Sequence, residues 1–257
     1  MQSRWALPFA ITWFFTGCAP TDPAAWSEDA EDEGQAVVGR RVLLCEQGLS
    51  DRTMEWDKGL FDLCEAAEDD GFELVRDGDF AAFGALDEGG AYDALFAALD
   101  TNHNGIVSTK DKPAQVYLVG FSWGGINVTD IAERLRKDDR ITSARRGVAG
   151  LVLLDAFQPQ VSRARIPSNV GRAWVYRQTD TTAGDCSINA SLGFGFNGHR
   201  ALAKSDKTIC AEYDVDELAA VGHCDMPVFA QKAALENLTK GRDYAPWAGL
   251  ARDCDLD

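Results

Sequence analysis

Residues 116–125 read Val-Tyr-Leu-Val-Gly-Phe-Ser-Trp-Gly-Gly, and no other stretch limits the fold so tightly. An apolar run ends at Gly120-Phe121-Ser122-Trp123-Gly124. A helical pattern with Val128, Ile131 and Leu135 on one face follows without a linker. A strand that hands over directly to a helix must fold that helix back against its own sheet. Glycines on both sides of the turn let the two backbones approach closely. Ser122 then sits at the tip of the turn, with its hydroxyl pushed out over the sheet edge.

Four further short apolar runs repeat this theme: Arg41–Cys45, Phe72–Val75, Val148–Leu154 and Ala173–Tyr176. Runs of this kind suit strands covered on both faces. Helical stripes separate them, one of Trp56, Leu60, Cys64 and Ala67 and another of Tyr92, Leu95, Phe96 and Leu99. Alternating strand and helix predicts an α/β domain with a doubly wound, mostly parallel sheet and helices on both faces. The 257 residues, 46% of them hydrophobic, are enough for one sizeable core. With 25 basic against 41 acidic side chains the formal charge is −16, which excludes a nucleic-acid groove built on clustered Lys and Arg.

Three histidines could accept a proton from Ser122: His103, His199 and His223. His223, in Gly222-His223-Cys224-Asp225, lies in a loop before the final helical run Val228–Leu238 and is the first choice. His199 is its rival. Carboxylates that could orient it are Asp155, closing Gly150-Leu-Val-Leu-Leu-Asp, and Asp180, after Trp174-Val-Tyr-Arg-Gln-Thr, with Asp185 behind them. Backbone N–H groups of Leu49, in Glu46-Gln47-Gly48-Leu49-Ser50, and of Trp123 are candidates to hold an oxyanion. Phe121, Trp123, Phe157 and the run at 193–196 are apolar enough to line a pocket.

With its Ser elbow after the third strand and the order Ser122, Asp, His223, residues 38–257 resemble the α/β-hydrolase family, in a compact lipase- or cutinase-like form. Leu154-Asp-Ala-Phe followed by Ile166-Pro-Ser-Asn-Val is similar to a lipase-like variety that takes its acid from the earlier strand. The resemblance implies an exported serine hydrolase of the esterase type, acting on a small-molecule, lipid or polymer ester with no cofactor for the chemistry. Gln47 stands where the family usually has His before Gly. The alternative is a non-catalytic surface binding module on the same fold.

A second motif runs from Asp100 to Asp111. Asp100, Asn102, Asn104, Ile106 (through its carbonyl), Ser108 and Asp111 fall on the ligand positions of a twelve-residue calcium loop, with Gly105 at the sixth. The final ligand is Asp rather than Glu, and Pro113 follows where a second helix should start. The expectation is a structural calcium clip, not a switch.

The N-terminus reads as targeting. Arg4 precedes an apolar run, Trp5–Phe15, too short to span a bilayer. It ends in Phe15-Thr16-Gly17-Cys18, which resembles a bacterial lipobox and implies a signal peptide over 1–18 with lipid on Cys18. Residues 19–37 carry six acids and no Lys or Arg, and read as a disordered tether. The expected product is a monomer in the bacterial cell envelope, outer membrane or cell surface, bound to membrane through its lipid alone. The remaining six cysteines suggest three disulfides: Cys45–Cys64, Cys186–Cys210 and Cys224–Cys254. The sequons at Asn127, Asn189 and Asn237 carry little weight in a bacterial chain.

Overall fold

The computed structural model describes residues 39–49, 58–179 and 197–257. Its elements are β1 (Arg40–Glu46), α1 (Lys58–Asp69), β2 (Glu73–Val75), α2 (Glu88–Leu99), β3 (Ala114–Phe121) and α3 (Trp123–Lys137). After these come β4 (Val148–Leu154), β5 (Ala164–Ile166), β6 (Val170–Arg177), β7 (Ala201–Ala203), β8 (Ile209–Asp214), α4 (Met226–Lys240), β9 (Arg252–Asp253) and β10 (Asp255–Leu256).

The main sheet has the order β2-β1-β3-β4-β6-β8-β9, parallel except where β9 returns antiparallel beside β8. A small second sheet joins β10, β7 and β5. Chain order runs outward in both directions from the first strand, and the crossovers from β1, β2, β3 and β8 carry α1, α2, α3 and α4. One face packs α1 and α4 through Leu60, Leu63, Met226, Ala230 and Ala234. The other packs α2 and α3 through Tyr92, Leu95, Ile126, Val128 and Ile131. This is the doubly wound, mostly parallel α/β sheet with helices on both faces expected from the sequence. No helix among the described residues is long and apolar enough to cross a membrane.

The central strands are apolar on both sides because both sides are covered. In β1, Leu44 faces α2 and α3 while Cys45 faces α1. The α3 stripe of Val128, Ile131 and Leu135 is fully buried, and cutting Ile131 or Leu135 to Ala costs about 2–5 kcal/mol. Arg134, Arg136 and Lys137 occupy the last turn of α3, where cations suit the helix dipole. Pro227 opens α4 and Gly241, at φ 60°, closes it.

The five predicted strands are present, each longer by two or four residues or equal, save β2, which loses Phe72. β8 escapes a reading based on apolar runs, since Ile-Cys-Ala-Glu-Tyr-Asp mixes both classes. Its buried Glu212 is matched by Arg177 at 2.9 Å and Arg200 at 3.4 Å, so a charge sits inside a strand without being orphaned.

Cys45–Cys64 joins the end of β1 to α1, as expected. The other expected pairs are wrong: Cys210 bonds Cys254. The C-terminal strand β9 pairs with β8 in a register that sets Asp253 opposite Ala211, which brings Cys254 beside Cys210. Cys224 is disulfide-bonded as well. Cys18, Asn189 and Cys186 lie outside the described residues.

Candidate active site

β3 delivers Ser122 at the carboxyl edge of the sheet. Its backbone adopts φ 55°, ψ −125°, a region that L-residues occupy only when their surroundings impose it. The imposition is visible. Ser122 donates its N–H to the Leu154 carbonyl at 3.0 Å, and its own carbonyl accepts from Gly125 at 3.0 Å and from Phe157 at 2.9 Å. The elbow is thus tied to the end of β4. A side chain at Gly120 would run into the Gly124 carbonyl, and one at Gly124 into the backbone of Glu46 and Gln47. These two glycines are required by the close crossing of strand, helix and neighbouring loop.

His223 stands on a short 3-10 turn, His223–Asp225, directly ahead of α4. Its Nε2 lies 2.7 Å from Ser122 Oγ. Its Nδ1 lies 2.6 Å from Asp155 Oδ2. Phe121 flanks the ring with centroids 5.0 Å apart, and Phe157 meets it edge-on at 6.4 Å. All three polar residues are buried, Ser122 at 8% exposure, His223 at 6% and Asp155 at 0%. Burial strengthens each charge interaction by lowering the local dielectric.

Asp155 also sits at positive φ, 45°. Its N–H donates to the Tyr176 carbonyl, and its carboxylate is held by Gln178, whose backbone N–H reaches Oδ1 at 2.9 Å and whose Nε2 reaches Oδ2 at 3.1 Å. Gly198 lies over the same carboxylate, so closely that a Cβ there would strike Oδ1. Gln178 and Gly198 went unnoticed in the sequence. Gln178 is separated from Asp155 by 23 positions, and only the pairing of β4 with β6 brings them together.

The rival residues fall elsewhere. His199 stacks on Phe157 at 5.2 Å, and its Nε2 meets the Gln158 carbonyl at 3.0 Å and the Gln158 N–H at 3.2 Å. Its N–H donates to the Ala156 carbonyl at 2.7 Å. It braces the turn after Asp155 and does not reach Ser122. His103 belongs to the loop between α2 and β3. Asp180, Asp185 and the run at 193–196 lie outside the described residues.

The loop leaving β1 lies against the serine at Gly48, where a Cβ would stand 3.0 Å from Ser122 Cβ and 3.4 Å from Oγ. Leu49 beyond it is exposed. Trp123 is the first residue of α3, so its N–H belongs to the helix end that has no intrahelical acceptors and carries the positive pole. The two candidate donors therefore come from segments that border Ser122 on either side.

The Asp100–Asp111 loop takes a different form. Asp100 accepts from the N–H of Asn104 at 3.1 Å and of Gly105 at 2.7 Å. Asp111 accepts from the N–H of Asn102 at 3.2 Å and of Ser108 at 2.8 Å, and from the Thr101 and Ser108 hydroxyls. Asn104 turns its Oδ1 to the N–H of Ile106 at 2.9 Å. The N–H of Ser108, first among several donors, holds the Asp111 carboxyl below its usual range. The four carboxylate oxygens are committed inward, and Arg145 already donates to the Asp111 carbonyl at 3.2 Å. Among the described residues no group of three or more His, Cys, Asp or Glu could hold a metal. The loop is closed by its own hydrogen bonds.

No protein-family model and no curated protein sequence matches the chain. Among solved structures it is similar to one designated a YdeN-like hydrolase, from Pectobacterium atrosepticum, at 13% identity over 78% of this chain and 90% of that one, with a TM-score of 0.40. A cutinase-like protein from Cryptococcus sp. is similar at 15% identity over 78% and 95%, with a TM-score of 0.36. Est1E from Butyrivibrio proteoclasticus is similar at 10% identity over 79% and 87%, with a TM-score of 0.33.

Proposed function

We propose that this chain is a serine hydrolase that cleaves an ester or related acyl bond through an acyl-enzyme at Ser122. One observation carries the reading: the imidazole of His223 bridges Ser122 Oγ at 2.7 Å and Asp155 Oδ2 at 2.6 Å. In this mechanism His223 Nε2 takes the hydroxyl proton as Oγ attacks the carbonyl carbon. The N–H of Trp123, with one from the Gly48–Leu49 segment, receives the charge that develops on the carbonyl oxygen. Collapse breaks the acyl–oxygen bond, and the imidazolium protonates the departing alkoxide. A water, deprotonated by the same ring, then attacks the acyl carbon and frees Ser122. Asp155 keeps the proton on Nδ1, so that Nε2 is the free base, and stabilises the imidazolium once formed.

Phe121 and Phe157, both beside the His223 ring, favour an acyl group of apolar character. The test is a fluorophosphonate probe on the folded protein. One-to-one labelling at Ser122, abolished in Ser122→Ala, supports the hydrolase. Absence of labelling replaces it with the binding module on the same fold.

We also propose, from residues 4–18 of the sequence, that the chain is exported and lipidated on Cys18. Fatty-acid labelling and membrane partition of the precursor should both disappear in Cys18→Ser. Retention of both in that variant ends the lipoprotein reading.

A further inference from the structure

Glu46 is the last residue of β1 and is wholly buried. It immediately precedes the loop that lies against Ser122. Strand alternation turns Cys45 towards α1, where it bonds Cys64, and turns Glu46 to the opposite face, towards α3. There Asn127 Nδ2 donates to Glu46 Oε2 at 3.3 Å and to the Ala85 carbonyl at 2.7 Å. Asn127 lies on the second turn of α3, five positions after the serine. One amide group thus joins the end of β1, the segment before α2, and the nucleophile helix.

Beside it, the Phe83 N–H donates to the Cys45 carbonyl at 3.0 Å. The Gln47 N–H donates to the Phe83 carbonyl at 2.9 Å, but both side-chain atoms of its buried amide lack a hydrogen-bond partner. Glu46 Oε1 lacks one too. A Cβ at Gly124 would strike the carbonyls of Glu46 and Gln47, so the first turn of α3 passes close against both residues.

We propose that Glu46 is a positioning residue of the site, its carboxyl and Asn127 together fixing the Gly48–Leu49 segment against Ser122 and the first turn of α3. This rests on the hydrolase reading above.

The charged groups that face the carboxyl are Asp87 and Glu88 at the start of α2, both acidic, and Glu88 is paired with Arg134 at 3.4 Å. From α3 it meets the neutral Asn127. Among the described residues no salt bridge reaches it. Burial, together with the two acids, raises the carboxyl to about 8, against the opposing pull of the Asn127 hydrogen bond. Glu46 is therefore neutral at pH 7. Being raised above its unfolded value, it contributes stability that is full below the ordinary carboxylate range and lost as pH climbs through about 8. A charge forming beside Asp87 and Glu88 without a cation favours rearrangement of the loop.

The experiment follows fluorophosphonate labelling of Ser122 and melting temperature across pH 5–10 in the parent, Glu46→Gln, Glu46→Ala and Asn127→Ala. In the parent, the maximal labelling rate should drop above about pH 8 as the melting temperature declines. Glu46→Gln keeps an acceptor for Asn127 and cannot ionise, so it should label at neutral pH and lose both alkaline declines. Glu46→Ala should label about tenfold more slowly at every pH, in maximal rate rather than in probe affinity. Asn127→Ala, which keeps the carboxyl but removes its donor, should also be slower and should move the alkaline drop to higher pH. A Glu46→Gln protein with the parent's alkaline drop overturns the inference. So does an Asn127→Ala protein that melts lower but labels like the parent, and this second variant serves if Glu46→Gln does not fold. Melting needs no chemistry at Ser122, so a failure of this inference is distinct from a parent that never labels, which would end the hydrolase reading instead.

Discussion

Two loops of this chain look equally purposeful as strings of residues, and the structure separates them. The Ser122 elbow reaches outward: its serine meets His223 from 101 positions away, and that histidine meets Asp155 across 68. The Asp100–Asp111 loop turns inward, with its aspartates bonded to amides no more than nine residues off in sequence. Both use polar side chains, glycine and positive φ, at Ser122 in one and at His103 and Gly105 in the other. What differs is the partner. Inward hydrogen bonds close a loop on itself. Outward ones leave a strained serine beside an imidazole, at an edge where several strands end.

The sharpest way to break this contrast is to remove members of the outward set. Ser122→Ala and His223→Ala should each lower kcat for an ester by on the order of 10⁵–10⁶, and the double variant should be little worse, because the pair acts as a unit. Melting should stay within a few degrees of the parent. Additive losses in the double variant would show that the two side chains do not share one step. Next in size is Asp155→Asn, which should cost about 10³–10⁴ through the wrong His223 tautomer. Gln178→Ala removes one of the two Gln178 hydrogen bonds to that carboxylate and should cost about tenfold. An Asp155→Asn protein with near-parental kcat would transfer the orienting role to a carboxylate after β6.

For the inward loop, the effect should appear in stability and not in turnover. The Asp111 carboxyl is held below its ordinary range by the Ser108 N–H and its neighbours. A depressed carboxyl contributes stability that is present above the unfolded value and is lost as pH falls through the folded one. Asp111→Asn should therefore lower the melting temperature at pH 7 and flatten its decline on the acid side. Equal acid-side slopes in parent and variant would remove Asp111 from the stability of the loop. The smallest effect expected is none: melting curves in millimolar calcium and in chelator should superimpose. A calcium-dependent rise, lost in Asp100→Ala, would restore the metal and undo the contrast.

The sequence already singles out Ser122 and His223 as candidates because both declare themselves locally. Ser122 lies between glycines at a strand-to-helix junction, and His223 sits in a loop just before the last helix. Asp155 is favoured over Asp180 only through a resemblance, since either closes a strand and the strand ends alone do not choose between them. Gln178, Gly198 and Glu46 were invisible for a related reason. Each matters through what lies opposite it across the sheet or under a crossing chain. Asn127 shows this well. In the sequence it belongs to a sequon, whereas in the fold it is buried and donates to Glu46 and Ala85.

Local pattern therefore determined the class of fold, the strand-turn-helix that presents Ser122, and the link between Cys45 and Cys64. Those follow from periodicity, from glycine at a tight crossing, and from neighbours in chain order, all interactions of short range along the chain. Tertiary structure alone decided which aspartate faces His223, that Cys210 joins Cys254, and that the Asp100–Asp111 loop satisfies itself. Such pairings depend on strand register and on which segments cross over one another. A hydrogen bond or disulfide is specified by distances of a few ångströms, which residues tens of positions apart acquire only when the sheet is assembled.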